Sequence, residues 1–168
     1  MKRFLAVGTL FILLVGITSL APAPKYKYTA SEVKMSVMFP AEFTTENSGN
    51  ENYKMVKTQA IDGDMVFFVT YSIYDDDFDD SQSSTFLDVS VDAFTEALGA
   101  DIQKRSEWIV NKKEGVSVTL NSDENDLTGD YRVIFLNKTQ FQITAISKKE
   151  GWDAKKAKKF FKSFKVGK

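Results

Sequence analysis

A run of aspartates is the part of this sequence whose residue types and spacing could do chemistry. Asp75, Asp77 and Asp79 alternate like the first ligands of an EF-hand loop, and Ca²⁺ is bound in proteins by several carboxylate and carbonyl oxygens. However, Asp80 occupies the position that needs glycine and Phe86 that of the final glutamate, so a regular EF-hand is excluded. Two interpretations remain. One is a Ca²⁺ site; the other, which we favour, is a solvated loop before a helix N-terminus, where negative charge is stabilising.

The chain contains no histidine and no cysteine. This composition excludes the common nucleophile–base pairs, the usual zinc ligands and covalent haem attachment. A catalytic site would have to rely on carboxylates, Lys, Ser or Tyr alone. We therefore predict that the protein is not an enzyme, and we expect no cofactor apart from the Ca²⁺ considered above.

Charge is balanced overall but divided along the chain. The formal net charge is −1, which gives no case for a nucleic-acid partner. Acidic residues dominate residues 75–101, where Asp88, Asp92 and Glu96 recur at every fourth position, whereas lysines dominate residues 148–168. Such blocks are typical of solvated faces, and they can also orient a partner.

Residues 1–24 have the layout of a secretory signal. Lys2 and Arg3 precede an apolar run that ends near residue 20, and small residues follow. We therefore predict a protein that is periplasmic or secreted. Cleavage after Ala21 or Ala23 would leave a proline directly behind the cut, which should hinder the peptidase. The segment is thus either removed, kept as an N-terminal membrane anchor (its apolar run of about 17 residues is near the lower limit for a span) or packed as a buried helix.

Residues 25–168 are predicted to form one domain. A period of two predicts strands at 33–39, 53–61, 65–74, 102–110, 116–121, 130–137 and 141–147. Gly63 is expected to supply a positive φ in a hairpin turn. A helical period predicts an amphipathic helix through Leu87, Val91, Phe94 and Leu98, with Gly99 just past its end, and a second helix at 152–164. An extended linker is predicted at 22–27, with loops at 41–51, 75–84, 111–115 and 122–129.

This element order predicts an α+β fold, in which an antiparallel sheet of six or seven strands lies between two helices. Two local features accompany this order. One is the opening strand that runs into Phe39-Pro40, VKMSVMFPAEF, and the other is the closing KFFKSFKV of residues 159–166, which is similar to an F-x-x-S-F ending. The order and these two features together resemble the PsbP/Mog1/DcrB-like superfamily. The likeness covers roughly residues 28–166. It implies an accessory or binding role, and it carries over no binding residue by position.

Three functions follow from these features. The favoured one is a non-catalytic exported accessory domain that binds a protein or an envelope component. The second is a protein that binds a small apolar ligand between the sheet and one helix, using Phe67, Phe68, Phe135 and Phe141. The third is a hydrolase that uses the carboxylates of the acidic loops, either residues 75–80 or residues 122–130.

The lysine-rich final helix could approach a membrane. A basic face beside Phe160, Phe161 and Phe164 is typical of helices that lie on anionic membranes. The same three rings could instead bury the helix on the sheet, and removing each from the core would cost roughly 1.5–3 kcal/mol. We therefore predict that the helix packs on the sheet. Its lysines can still face an anionic membrane surface, where each contributes about 1 kcal/mol.

Overall fold

The structure is a computed structural model that describes residues 26–51, 53–74 and 83–167. Three of the predictions above fall outside these residues. They are the leader at 1–24, the candidate Ca²⁺ ligands Asp75, Asp77 and Asp79, and the loop at 75–84 up to residue 82. All three therefore stay predictions.

The described chain forms two antiparallel sheets and two α-helices. In chain order the elements are β1 (Tyr26–Ala30), β2 (Met35–Phe39), β3 (Phe43–Gly49), β4 (Tyr53–Asp62), β5 (Met65–Tyr74), α1 (Ser83–Leu98), β6 (Asp101–Val110), β7 (Lys113–Ser122), β8 (Leu127–Leu136), β9 (Thr139–Lys148), α2 (Ala154–Ser163) and β10 (Lys165–Val166). The large sheet has the order β3-β4-β5-β9-β8-β7-β6, and the small sheet has the order β1-β2-β10. The predicted α+β class and the antiparallel sheet are confirmed.

The two helices pack on opposite faces of the large sheet. Successive side chains of a strand point to opposite faces, and β8 separates its apolar residues in this way. Tyr131, Val133 and Phe135 join the cluster beneath α1, whereas Ile134 and Leu136 join the cluster beneath α2. The sheet is therefore buried from both sides, as the sequence predicted.

The apolar stripe of α1 lies on the sheet. Leu87 and Val91 are buried, and the ring of Phe94 stacks on Tyr131 with 4.2 Å between the centroids. Gly99 follows the helix with a φ of 55°, a backbone conformation that costs glycine little. The predicted stripe and its glycine stop are confirmed.

The helix α2 is held on the other face by its phenylalanines. Phe160 and Phe161 are only 2% and 4% exposed, so neither ring is available for insertion into a membrane. Asp153 caps the start of the helix, because its Oδ1 accepts hydrogen bonds from the backbone N–H groups of Lys155 and Lys156. These rings pack on the sheet and are not available to insert into a membrane.

Two strands were missed by the sequence prediction, and the predicted loops at 111–115 and 122–129 are shorter in the structure because β7 begins at Lys113 and β8 at Leu127. Residues 41–51 contain the edge strand β3, which pairs with β4 from Phe43↔Ala60 to Gly49↔Lys54. Its side chains are almost all exposed, so it lacks the apolar alternation that marks a half-buried strand. The predicted linker at 22–27 overlaps β1, which begins at Tyr26 and pairs with β2. Both predictions were wrong because the pairing of each strand with its neighbour cannot be read from the strand's own residues.

Candidate binding site

The acidic residues within the described chain are not gathered into a metal site. No group of three or more Asp or Glu side chains placed to hold a metal occurs in residues 26–51, 53–74 and 83–167. In the second acidic loop Asp123 forms an ion pair with Lys149, and on α1 Asp88 forms one with Arg105. These two carboxylates act as ion-pair partners on the surface, and the other loop considered for a hydrolase, residues 75–80, lies outside the described residues.

The four phenylalanines proposed to hold an apolar ligand do not line one cavity. Phe67 and Phe141 are fully buried in the cluster beneath α2. Phe135 belongs to the cluster beneath α1, and the ring of Phe68 lies 6.3 Å from that of Phe94 on the same side. The sheet therefore separates the four rings into two pairs.

A different apolar recess lies beside α2. It has a volume of about 300 Å³ and is lined by Met38, Phe39, Pro40 and Phe160, with Lys156 at its rim. The Phe39-Pro40 step that ends β2 thus forms one wall. Its volume is at the lower end for ligand pockets, which span about 300–1,000 Å³.

One surface on the side of α2 is left uncovered by the helix. Phe160 and Phe161 of α2 contact Phe67 on β5 and Arg132 on β8. Phe164, directly after the helix, contacts Phe141 on β9 and Trp108 on β6. Farther along β6 and β7, Lys104 and Ser106 are exposed and Ser117 and Thr119 are half-buried, so this part of the two strands extends beyond the helix. We call the polar surface there the open sheet face, and it consists of Lys104, Ser106, Ser117, Thr119, Asp130 and Arg132.

Strand register places these six side chains in two rows across the sheet. Ser106 pairs with Ser117, and Ser117 pairs with Arg132. Lys104 pairs with Thr119, and Thr119 pairs with Asp130. Directly paired residues of an antiparallel sheet share one face. Because Arg132 contacts α2, both rows lie on the side of α2, and all six side chains are exposed or half-buried.

Arg132 lies at the inner end of one row of the open sheet face, beside α2. Its guanidinium lies 4.4 Å from the centroid of the Phe161 ring and 5.7 Å from that of Trp108. In the described chain no carboxylate forms an ion pair with it, and its Nε is buried without an acceptor. Burial lowers the pKa of Arg132, and the charge of Asp130 partly offsets this. The side chain remains a cation, held between aromatic rings.

On this face the carboxylate nearest to Arg132 in sequence is that of Asp130. It accepts a hydrogen bond from Thr119 and forms no ion pair with Arg132. The Thr119 hydroxyl lies 2.7 Å from Oδ1 of Asp130 and donates to it, since an ionised carboxylate only accepts. This cross-strand bond holds the Asp130 side chain over β7. The guanidinium of Arg132 is therefore free to interact with a group outside the domain.

Gly115 lies opposite Trp108 at one end of the open sheet face. The two residues pair across β6 and β7, and a Cβ on Gly115 would lie 2.5 Å from the Val133 carbonyl oxygen and 2.7 Å from the Ile134 Cβ. A side chain at position 115 would therefore displace β8 or the Ile134 side chain. The Trp108 indole packs on Phe164, with 5.5 Å between the ring centroids. A glycine opposite an aromatic residue thus shapes one end of the open sheet face.

Charge is separated between the two sides of the sheet. On α1 the acidic residues Asp88 and Asp92 are exposed, whereas on α2 the exposed residues include Lys158 and Lys162. Lys158 precedes Phe161 by one turn and therefore lies on the same side of α2 as that ring. Because the helices occupy opposite faces, the charge division along the sequence becomes a division in space, and the open sheet face lies on the basic side.

Comparison with known proteins identifies the fold through structure alone. The chain matches the solution structure of cyanobacterial PsbP (CyanoP) from Synechocystis sp. PCC 6803 with a TM-score of 0.62, covering 92% of this chain and 99% of that one. The fold is PsbP-like. Sequence identity over the match is 11%, so the likeness extends to the fold and not to individual residues. No protein-family model and no curated protein matches the sequence.

Sequence reasoning missed Arg132 and Trp108 as candidate site residues. A signal was present, since Arg132 is the only charged residue in the segment YRVIFL of β8, where its neighbours are buried. A cation inside an apolar strand indicates that other groups stabilise its charge, because burying a charge without a partner is costly. The predicted PsbP-like domain positions this residue beside α2. Within the described chain, no helix is long and apolar enough to cross a membrane.

Proposed function

We propose that this protein is a non-catalytic, exported accessory domain that binds a protein partner through the open sheet face. One observation carries the proposal, namely the half-buried Arg132 held between Phe161 and Trp108 on a polar surface. Arginine and tryptophan are enriched at protein–protein interfaces and among the residues that dominate binding energy. On a sheet face that is exposed only to water, such a cluster would contribute no binding energy.

Two further features support the accessory role. The signal-like residues 1–24 predict export, and a retained leader would hold the domain at the membrane surface. The resemblance to the PsbP/Mog1/DcrB-like superfamily, together with the PsbP-like fold, implies a binding role, since its members are mostly accessory proteins. Neither feature identifies the partner.

A protein partner fits this surface better than a membrane does. An α-helix is about 10 Å wide, so α2 projects beyond the sheet on which it lies. A flat lipid surface would meet exposed lysines of α2 such as Lys162 first, whereas the open sheet face lies behind them. A protruding polypeptide segment can reach it. The envelope lipid is therefore the alternative occupant, and the test below distinguishes the two.

Site-specific photocrosslinking in the native host tests the proposal. The photoreactive residue p-benzoylphenylalanine replaces Ser106 on the open sheet face, and matched variants carry it at Val89 on α1 or at Ile61, which are 57% and 62% exposed. We expect one discrete protein adduct from position 106 and none from positions 89 and 61. Equal adducts at all three positions, lipid adducts alone, or no adduct at position 106 would contradict the proposal.

A second candidate function is the binding of an apolar ligand, which the recess lined by Phe39 and Phe160 favours. Native mass spectrometry of the protein as isolated from its host tests this candidate. A co-purified lipid that is lost when Met38 is replaced by the larger Trp would support it. An apo mass would leave the partner-binding proposal ahead.

A further inference from the structure

We infer that Arg132 binds a carboxylate of an acidic polypeptide segment that lies across the open sheet face. This inference rests on the proposed function, because it specifies the chemistry of the partner at the same surface. It commits to an acidic protein segment, and it starts from a cation that has no ion-pair partner among the described residues.

The surroundings of Arg132 leave the outer edge of its guanidinium available to bind a ligand. Phe161 contacts the guanidinium at 4.4 Å, and Nε is buried. The residue as a whole is half-buried, and of its guanidinium nitrogens only Nε is among the buried polar atoms that lack a partner, so the two Nη atoms form the end that can meet a ligand. A guanidinium edge matches a carboxylate in geometry, and such charge-assisted pairs are stronger than neutral hydrogen bonds. The aromatic contact fixes the orientation of the cation before a ligand arrives, which lowers the entropy that binding must overcome.

The domain's own carboxylate does not neutralise this cation by direct pairing. Asp130, two residues earlier on the same face, interacts with the hydroxyl of Thr119 at 2.7 Å. Its charge still favours the charged form of Arg132. Asp130 thus helps to keep the guanidinium protonated, and Thr119 helps to keep the carboxylate away from it.

Neighbouring groups extend the site along the row. Ser117 and Ser106 follow Arg132 across β7 and β6, and paired side chains of adjacent strands lie about 4.5–5.5 Å apart. Their hydroxyls can donate to carboxylate or backbone oxygens of a segment lying across the strands. Lys104 lies in the neighbouring row and Lys158 on the Phe161 side of α2, and both are exposed. The surface therefore combines one oriented cation, two hydroxyls and two mobile cations, which complements an acidic segment.

Tryptophan fluorescence with a defined acidic polymer tests the inference. The chain has two tryptophans, and Trp152→Phe leaves Trp108, 5.7 Å from the guanidinium, as the single reporter. The probe is poly-L-glutamate, added to the protein as isolated from its host. Arg132→Met removes the cation, Arg132→Lys keeps the charge without the planar edge, and Arg105→Met on the other face removes one matched positive charge. Melting curves establish that each variant is folded.

We expect a saturable change in Trp108 emission that weakens as salt is raised. Arg132→Met should weaken the affinity about tenfold or more, since a hydrogen-bonded ion pair is lost. Arg132→Lys should fall between Arg132→Met and the parent, and Arg105→Met should match the parent. Equal weakening by Arg132→Met and Arg105→Met, or no weakening by Arg132→Met, would overturn the inference.

Two further results separate this inference from the proposed function. Vesicles of phosphatidylglycerol are tested in the same way. If they change Trp108 emission with the same dependence on Arg132, the site binds an anionic lipid, and the assignment of a protein carboxylate is overturned. A protein adduct at position 106 that persists unchanged in Arg132→Met would leave the proposed function standing while this inference fails. An Arg132-dependent response to poly-L-glutamate without any adduct at position 106 would contradict the proposed function and, with it, the assignment of the acidic segment to a protein partner.

Discussion

The hydroxyl of Tyr71 donates a hydrogen bond of 2.5 Å to Oε1 of Glu32. Tyr71 lies on β5 of the large sheet, and Glu32 lies in the short 3₁₀ turn that leads into β2 of the small sheet. The Nζ of Lys54 donates to the other oxygen, Oε2, at 2.7 Å. Burial raises the pKa of Tyr71, with the Glu32 bond as the next cause, so the phenol stays protonated and keeps its role as donor. This bond joins the two sheets on the side of α2.

Removing that hydroxyl should destabilise the domain. Glu32 is 42% exposed, so water replaces part of the lost bond, and we expect Tyr71→Phe to lower the free energy of unfolding by about 1 kcal/mol. Urea denaturation measures this loss. Tyr26→Phe is the matched control, because no hydrogen bond is formed by its hydroxyl within the described chain. A loss of the same size in both variants would mean that the Tyr71–Glu32 bond has no special contribution.

Glu32 should also make the stability depend on acid pH. Hydrogen bonds from Lys54 and then from Tyr71 hold the pKa of Glu32 below its usual value. The folded state therefore binds this proton more weakly than the unfolded state, so the contribution is present above about pH 4.3 and is lost as pH falls below it. We expect the gap in melting temperature between the parent and Glu32→Gln to shrink as pH is lowered from 6 to 3. A constant gap would contradict the assigned role.

Gly115→Ala should disturb the end of the open sheet face. The new Cβ would lie 2.5 Å from the Val133 carbonyl oxygen, and we expect a loss of about 1–3 kcal/mol together with a shift in Trp108 emission. Gly63→Ala provides the contrast. No atom would lie within 4 Å of its new Cβ, so its loss of stability comes from the φ of 63° alone. That variant should lose about 1 kcal/mol with unchanged Trp108 emission. Unchanged emission in both variants would show that Gly115 does not position the indole.

The leader should direct export. A fusion of residues 1–30 to alkaline phosphatase, which folds only outside the cytoplasm, should be active in a bacterial host. Replacing residues 10–14 of the apolar run with charged residues should abolish the activity, since an export signal needs that run. Mass spectrometry of the exported fusion then distinguishes a cleaved leader from a retained one. An inactive parent fusion, or an active charged variant, would contradict the prediction of export.

How much the sequence could predict depended on where each residue's partners lie. The stripe through Leu87 and Val91 and the alternation in β5 indicated their elements, because each pattern is set by one buried face. The polar edge strand β3 and the short β1 form through pairing with β4 and β2, and their own residues carry little of that information. A periodic pattern reveals a buried face but not the element that covers it.

The same limit applies to the candidate site. The alternation in β8 indicates that Arg132 and Ile134 share a face, but it does not say that Phe161 of α2 lies over that face. Nor does it say that β6 and β7 extend beyond the helix. Those facts follow from strand order, which brings β8 and β9 between β5 and β7. The Ca²⁺ alternative at Asp75, Asp77 and Asp79 stays a sequence prediction.

Hydrogen–deuterium exchange tests the central claim most directly. The protein is measured alone and with the partner captured by the crosslinker at position 106. We expect slower exchange in β6, β7 and β8, and we expect this protection to weaken in Arg132→Met but not in Arg105→Met. Protection confined to α1 or β3, with β6–β8 unchanged, would contradict the claim that this protein binds its partner through the open sheet face.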